Sequence, residues 1–135
     1  MTKLDRWGRW AIGSSMGIIL FGVPHLVDDF LFKVPAEFGI SEPLAQMLGG
    51  MFFSLVVAFQ LGAGRGTKWG FAGLMVVSDF LIAAILLKHI EGMIAPAPYW
   101  SGWFSEMLII GLGMMCLCTS IFASIAFVRK TQQLS

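Results

Sequence analysis

The chain has 135 residues, of which 57% are hydrophobic and 13% are charged, and its formal net charge is +1. A soluble domain carries roughly 25% charged residues, so this composition leaves too little polar surface for a water-soluble globule. The net charge near zero gives no field that would attract nucleic acid. We therefore expect an all-α integral membrane protein, whose main partner is the lipid bilayer.

Four hydrophobic runs predict a four-helix bundle with short loops, in a single domain over residues 1–135. The predicted spans cover about 10–32, 44–62, 69–87 and 100–128. The first three are near the ~20 residues that a bilayer requires, and the fourth is long enough to tilt or to extend beyond the bilayer. Pro24 lies inside the first run, and we expect a kink there. The segment 33–43 is rich in turn residues and predicts a loop, after which Ser41 or Glu42 caps the second span.

The basic residues are distributed unequally between the two sides of these spans. Seven Lys and Arg residues fall on one side: Lys3, Arg6, Arg9, Arg65, Lys68, Arg129 and Lys130. Only Lys33 and Lys88 fall on the other side. Because cytoplasmic loops carry the excess of Lys and Arg, we expect both termini in the cytoplasm (N-in, C-in). The predicted location is the plasma membrane of a prokaryote.

Small or polar residues recur at helical spacing on every span. Lipid tails are as apolar as leucine, so membrane helices associate through small residues and polar contacts. We therefore expect these stripes to face the interior of the bundle. They are Gly13, Gly17, Pro24 and Asp28 on span one, Gln46, Gly50, Ser54 and Ala58 on span two, Ala72, Asp79 and Ala83 on span three, and Glu106, Gly113, Ser120 and Ser124 on span four.

Two acidic residues lie well inside predicted spans: Asp79 near the middle of span three and Glu106 about two turns into span four. An ionised side chain at the centre of a membrane helix costs about 2.5–3.5 kcal/mol on insertion scales, so each needs a physical explanation. If both side chains face inward, they stand at two successive depths and predict a proton or cation relay, or a polar contact for a bound molecule. The alternative is a structural hydrogen bond to a neighbouring helix.

A second group of polar residues lies near the outer ends of spans one and three. His25, Asp28 and Asp29 are spaced to share one helix face, and His89 and Glu91 follow span three. Imidazole and carboxylate groups can bind zinc, iron or manganese, so His25, Asp29, His89 and Glu91 form a candidate metal site. The two histidines could instead ligate a haem from opposite faces. The alternatives are solvated interface groups, or direct contacts to a ligand or partner.

These residues predict an outward-opening polar cavity between spans one, three and four that binds or passes a small ligand, a proton or a metal cation. An accessory subunit of a larger membrane complex, haem- or quinone-linked, is the second hypothesis. It would bring partner membrane subunits or further copies of the chain. No catalytic motif is present and no catalytic residue is assigned, which favours a non-enzymatic role. A third hypothesis is a membrane enzyme for a lipid or sterol-like substrate, since architecture and residue types are similar to those of emopamil-binding-type isomerases.

Overall fold

The computed structural model describes residues 4–90, 94 and 101–132, and within these ranges it contains helices and no strands. The helices are α1 (Arg6–Leu31), α2 (Val34–Glu37), α3 (Glu42–Gly64), α4 (Lys68–Lys88) and α5 (Trp103–Gln132). All except α2 are long and apolar enough to cross a membrane. The predicted all-α class with four spans is therefore confirmed, and the finding suggests a membrane protein.

The starts of the long helices follow from local capping chemistry. The Asp5 carboxylate accepts a hydrogen bond from the backbone N–H of Gly8 at 2.8 Å, and the Thr67 hydroxyl accepts one from Gly70 at 3.1 Å. Each bond satisfies a donor that the first helical turn leaves without a partner. Ser41 is the N-cap of α3, with a proline in the first turn, so the predicted start of this helix is confirmed.

The segment 33–43 contains the short helix α2, where the sequence predicts only a loop. Lys33 adopts a left-handed conformation with φ 56°, which reverses the chain after α1. Pro35 then occupies the first turn of α2, where its fixed φ favours a helix and its missing N–H costs nothing. Gly39, with φ 67°, turns the chain again towards α3. The short helix thus covers one end of the bundle.

The four long helices form a bundle in which α5 packs along both α1 and α4, while α3 packs against α4 and, less extensively, α1. One buried apolar cluster joins all four of them: Ala11, Ala63, Phe71, Leu74, Ala123 and Ala126. Near it, Arg129 of α5 lies 3.8 Å from the carboxylate of Asp5. The start of α1 and the end of α5 therefore lie at the same end of the bundle. Which side of the membrane this end faces stays a prediction.

The prediction that the small-residue stripes face inward is wrong for α3 and for part of α4. The whole stripe of α3 is exposed: Gln46, Gly50, Ser54 and Ala58. On α4, Asp79 and Ala83 are exposed as well. On α1 the stripe divides, because Gly13 is exposed whereas Gly17 and Asp28 are buried.

Helix α3 instead contacts the bundle through large side chains that fit against glycines of its neighbours. A Cβ atom on Gly22 of α1 would lie 3.0 Å from the ring of Phe53, and one on Gly73 of α4 would overlap the ring of Phe59. Close packing requires a small residue on only one of two facing helices. Here the glycines that receive the phenylalanines belong to α1 and α4, and only Gly49 of α3 lies against a large side chain of α1, that of Leu26. The small residues of the predicted stripe are left on the outer face of α3.

The turn between α3 and α4 gives a prediction for stability. A Cβ atom on Gly70 would overlap the backbone of Gly62 and Ala63, which cannot move away as a flexible side chain can. We expect Gly70→Ala to lower the free energy of unfolding by about 2 kcal/mol, measured by denaturant titration in detergent micelles. Gly50→Ala is the matched control, because no atom lies within 4 Å of its Cβ position. Equal stability of the two variants would contradict this packing.

Candidate functional site

An apolar pocket of about 490 Å³ lies at the end of the bundle where α1 and α4 end and α3 begins. We call residues 33–43, which contain α2, the α2 segment. Because this segment covers this end of the bundle, we call it the α2 end. The pocket lies between α1, α3 and α4, and Leu112 of α5 also contributes to its lining. Most of its walls are aromatic or aliphatic, including Phe52, Phe53, Phe80 and Ile85. The structure thus places a cavity between spans one, two and three, rather than one, three and four.

Three polar residues line one side of this pocket, His25, Asp29 and His89, and we refer to them as the polar wall. His25 and Asp29 are one turn apart on α1, with His25 Nδ1 3.7 Å from Asp29 Oδ1. The rings of His25 and His89 meet edge to face, with centroids 5.0 Å apart. Residues from the ends of two helices therefore converge, as the sequence predicts for these three positions.

The surroundings of His89, at the edge of the polar wall, favour the neutral form of its imidazole. His89 is the C-cap residue of α4 and lies just beyond the membrane-spanning segment. Burial lowers the pKa of His89 below its ordinary value of 6.5, because desolvation disfavours the charged form. A neutral imidazole carries one N–H donor and one acceptor nitrogen. This side of the pocket can thus exchange hydrogen bonds with either a carbonyl or a hydroxyl group.

The α2 segment covers the pocket with apolar side chains, among them Val34, Phe38 and Ile40. Lys88 at the end of α4 places its ammonium group 4.3 Å from the centroid of the Phe38 ring, a cation–π contact that attaches the segment to α4. Sequence reasoning missed this part of the site. The available signal was the apolar pair Val34 and Phe38 at helical spacing within a predicted loop.

Asp28 belongs to a different polar cluster from its neighbour Asp29. Its side chain is 4% exposed and faces α5, where its carboxylate accepts hydrogen bonds from the hydroxyls of Ser101, at 2.8 Å, and of Ser105. The two hydroxyls also lie 2.6 Å apart. Consecutive residues on a helix point about 100° apart, so Asp28 joins α1 to α5 whereas Asp29 lines the pocket. Sequence reasoning missed both serines.

The predicted metal and haem sites receive no support from the side chains that the structure describes. Within residues 4–90, 94 and 101–132, no group of three or more His, Cys, Asp or Glu residues is arranged to hold a metal ion. Glu91, the fourth predicted ligand, lies outside these residues. The direct contact between the rings of His25 and His89 leaves no space between them for a porphyrin plane.

No known protein family, curated protein or solved structure matches this chain.

The structure does not bring Asp79 and Glu106 together, as a proton or cation relay through both carboxyl groups would require. Glu106 is half-buried and lines a separate cavity of about 450 Å³ with side chains of α1 and α5, including Phe21 and Met107. Asp79 is exposed on α4 and accepts a hydrogen bond from the Ser120 hydroxyl at 2.6 Å. Neither carboxyl group lines the pocket at the α2 end, so its chemistry rests on the polar wall.

Proposed function

We propose that this chain is a membrane protein that binds one small, largely apolar molecule with a polar end, of the lipid, sterol or quinone class. The observation that carries this proposal is a single polar wall, formed by His25, Asp29 and His89, in an otherwise apolar pocket of about 490 Å³. The apolar body of the ligand fills the space between the phenylalanines of α3 and α4. Its oxygen-bearing end faces the imidazoles.

The size and lining of the pocket favour such a ligand over a proton or a metal cation. Small-molecule sites typically measure about 300–1,000 Å³ and combine apolar walls with a few convergent polar groups. A bare cation needs several oxygen, nitrogen or sulfur ligands at close range. Among the described lining residues, His25, Asp29 and His89 are the candidates for such ligands. The predicted polar cavity for ions is therefore replaced in this proposal by an apolar site with one polar side.

The predicted orientation places the α2 end at the outer surface of the membrane. A ligand that partitions into the outer leaflet then reaches the pocket laterally or beneath the α2 segment. The cation–π contact between Lys88 and Phe38 makes the α2 segment part of the binding surface. In this proposal, the arrangement suits a protein that takes its ligand from the lipid phase.

The direct test is saturation binding to the purified full-length chain in phosphatidylcholine nanodiscs. Radiolabelled probes of three kinds are compared: a short-chain quinone, a sterol and a monoacylglycerol. We expect at least one of them to bind saturably with one site per chain, and we expect His25→Ala to weaken this binding about tenfold, or ~1.4 kcal/mol. Uptake of all three probes that equals uptake by empty nanodiscs would contradict the proposal.

A second candidate function is that of a subunit in a larger membrane complex. The observation in its favour is the outer face of α3, where small and polar residues, including Gly50, Ser54 and Ala58, are all exposed. Such residues permit close approach of another helix. Extraction in a mild detergent followed by native sizing tests this candidate: a discrete large complex that contains other polypeptides supports it, and a single chain or a small homo-oligomer contradicts it.

A further inference from the structure

Asp79 is an acidic residue in the middle of a helix that is long and apolar enough to cross a membrane. It lies 11 residues after the first residue of α4, Lys68, and 9 before the last, Lys88, or about 16 Å and 13 Å from the two ends. The residue is exposed. It therefore lies at a depth where lipid tails would surround it.

Ionisable residues within membrane helices almost always face a bundle interior or a water-filled cavity, and they pair with other groups. Among the described residues, the donor to Asp79 is the hydroxyl of Ser120, which bonds to Oδ1. An ionised carboxyl group has about four acceptor positions. One neutral hydroxyl therefore satisfies only a small part of the hydrogen-bonding capacity of this carboxyl group.

The residues next to Asp79 on α4 and α5 have small side chains. Ala83 follows Asp79 by about one turn on α4, and Ser124 follows Ser120 by about one turn on α5. We call these four residues the α4–α5 groove. Larger exposed side chains lie on the same two helices: Val76, Leu117 and Ile121. Small side chains around a polar centre allow the close backbone approach that membrane helices use to associate.

We propose that a transmembrane helix of another protein docks in the α4–α5 groove and places a Lys or Arg side chain against Asp79. Charge complementarity selects this occupant. A second copy of the chain cannot supply the cation, because every Lys and Arg of this sequence lies at or beyond a helix end or in the first or last turns. These residues are Lys3, Arg6, Arg9, Lys33, Arg65, Lys68, Lys88, Arg129 and Lys130.

This interface is independent of the proposed ligand site. The residues of α4 that line the pocket include Leu81, Ala84 and Ile85, whereas Asp79 and Ala83 are exposed and lie outside that lining. Helix α4 thus presents one side to the pocket and another to the groove. A failure of either proposal leaves the other one intact.

The test uses the full-length chain in phosphatidylcholine vesicles, with a designed Leu/Ala transmembrane peptide that carries one Arg at its centre. Energy transfer between labelled chain and labelled peptide measures association, and the matched peptide has Leu in place of Arg. We expect the Arg peptide to associate at least tenfold more tightly than the Leu peptide. Asp79→Asn keeps an oxygen acceptor for Ser120, and we expect it to remove this difference.

Two further variants make the result specific to the groove. Glu106→Gln removes an acid of α5 that lines a separate cavity, and it should leave the preference for the Arg peptide unchanged. Ala83→Trp blocks the groove without changing the charge and should weaken association of the Arg peptide at least tenfold. The proposal is overturned if both peptides associate equally with the unmodified chain. It is also overturned if energy transfer between two labelled copies of the chain is strong and is lost in Asp79→Asn, since the occupant is then a second copy.

Discussion

Replacing Ala84 with Trp should strongly weaken binding of the proposed apolar ligand while the helical bundle stays folded. Ala84 is half-buried and lines the pocket beside Leu81 and Ile85. An indole at this position occupies the space that the ligand's apolar body needs. The pocket is a cavity already, so the larger side chain fills it without the overpacking that a dense core suffers. We expect the dissociation constant of the saturably bound probe to rise by at least about tenfold.

The neighbouring residue provides the matched control for this experiment. Ala83 carries the same side chain on the same helix, but it is exposed and does not line the pocket. We expect Ala83→Trp to leave the dissociation constant unchanged. Equal losses in the two variants would show that the indole disturbs α4 in general, and equal retention would show that the ligand does not enter this pocket.

The helices could be predicted from the sequence because hydropathy and capping are local properties. The spans required only runs of apolar residues of sufficient length, and the start of α3 required only Ser41 and the proline that follows it. The short helix α2 could not be predicted in the same way. Val34 and Pro35 of this helix line the pocket, and Phe38, which follows it, contacts Lys88. Both contacts depend on how helices that are distant in the sequence meet.

The inward faces of the helices could not be predicted from small residues alone. Packing of two helices needs close approach at one of them, and the sequence does not say which partner supplies the glycine. Phe53 fits against Gly22 of α1 and Phe59 against Gly73 of α4, whereas Gly49 of α3 lies against Leu26 of α1, so the glycine comes from either partner. The exposure of Asp79 has a similar origin, because α4 turns a different side, with Phe71, Leu74 and Ser78, towards the core.

The candidate site was predicted in part. His25, Asp29 and His89 were identified because polar side chains near the ends of two parallel spans must lie at one end of the bundle. Residue spacing also grouped Asp28 with them, since residues that are three or four positions apart share roughly one face of a helix. The adjacent residues Asp28 and Asp29 nevertheless point about 100° apart around α1. Asp28 therefore faces α5, whereas Asp29 faces the pocket. Only the helix arrangement separates the two aspartates.

Adjacent aspartates with different surroundings should respond differently to the same substitution. Asp28→Ala removes the acceptor of two hydroxyl groups, of which that of Ser105 is fully buried. Hydrogen bonds to a charged group contribute about 1.5–3 kcal/mol each, and the hydroxyls are left without their partner. We expect the free energy of unfolding in detergent micelles to fall by about 3 kcal/mol. Asp29→Ala removes no such pair of hydrogen bonds, so it should lower stability by less than Asp28→Ala does and weaken ligand binding instead.

A double-mutant cycle with Ser105→Ala assigns the loss to the contact between α1 and α5. Asp28 and Ser105 lie on different long helices, so their coupling measures how strongly this cluster joins α1 to α5. We expect a coupling energy of about 1–2 kcal/mol, within the range for residues in one hydrogen-bonded network. Ser54→Ala is the matched serine control, because the Ser54 hydroxyl bonds to its own helix at Gly50, and it should show no coupling to Asp28. Additive losses for Asp28 and Ser105 would mean that the buried carboxylate stabilises α1 alone.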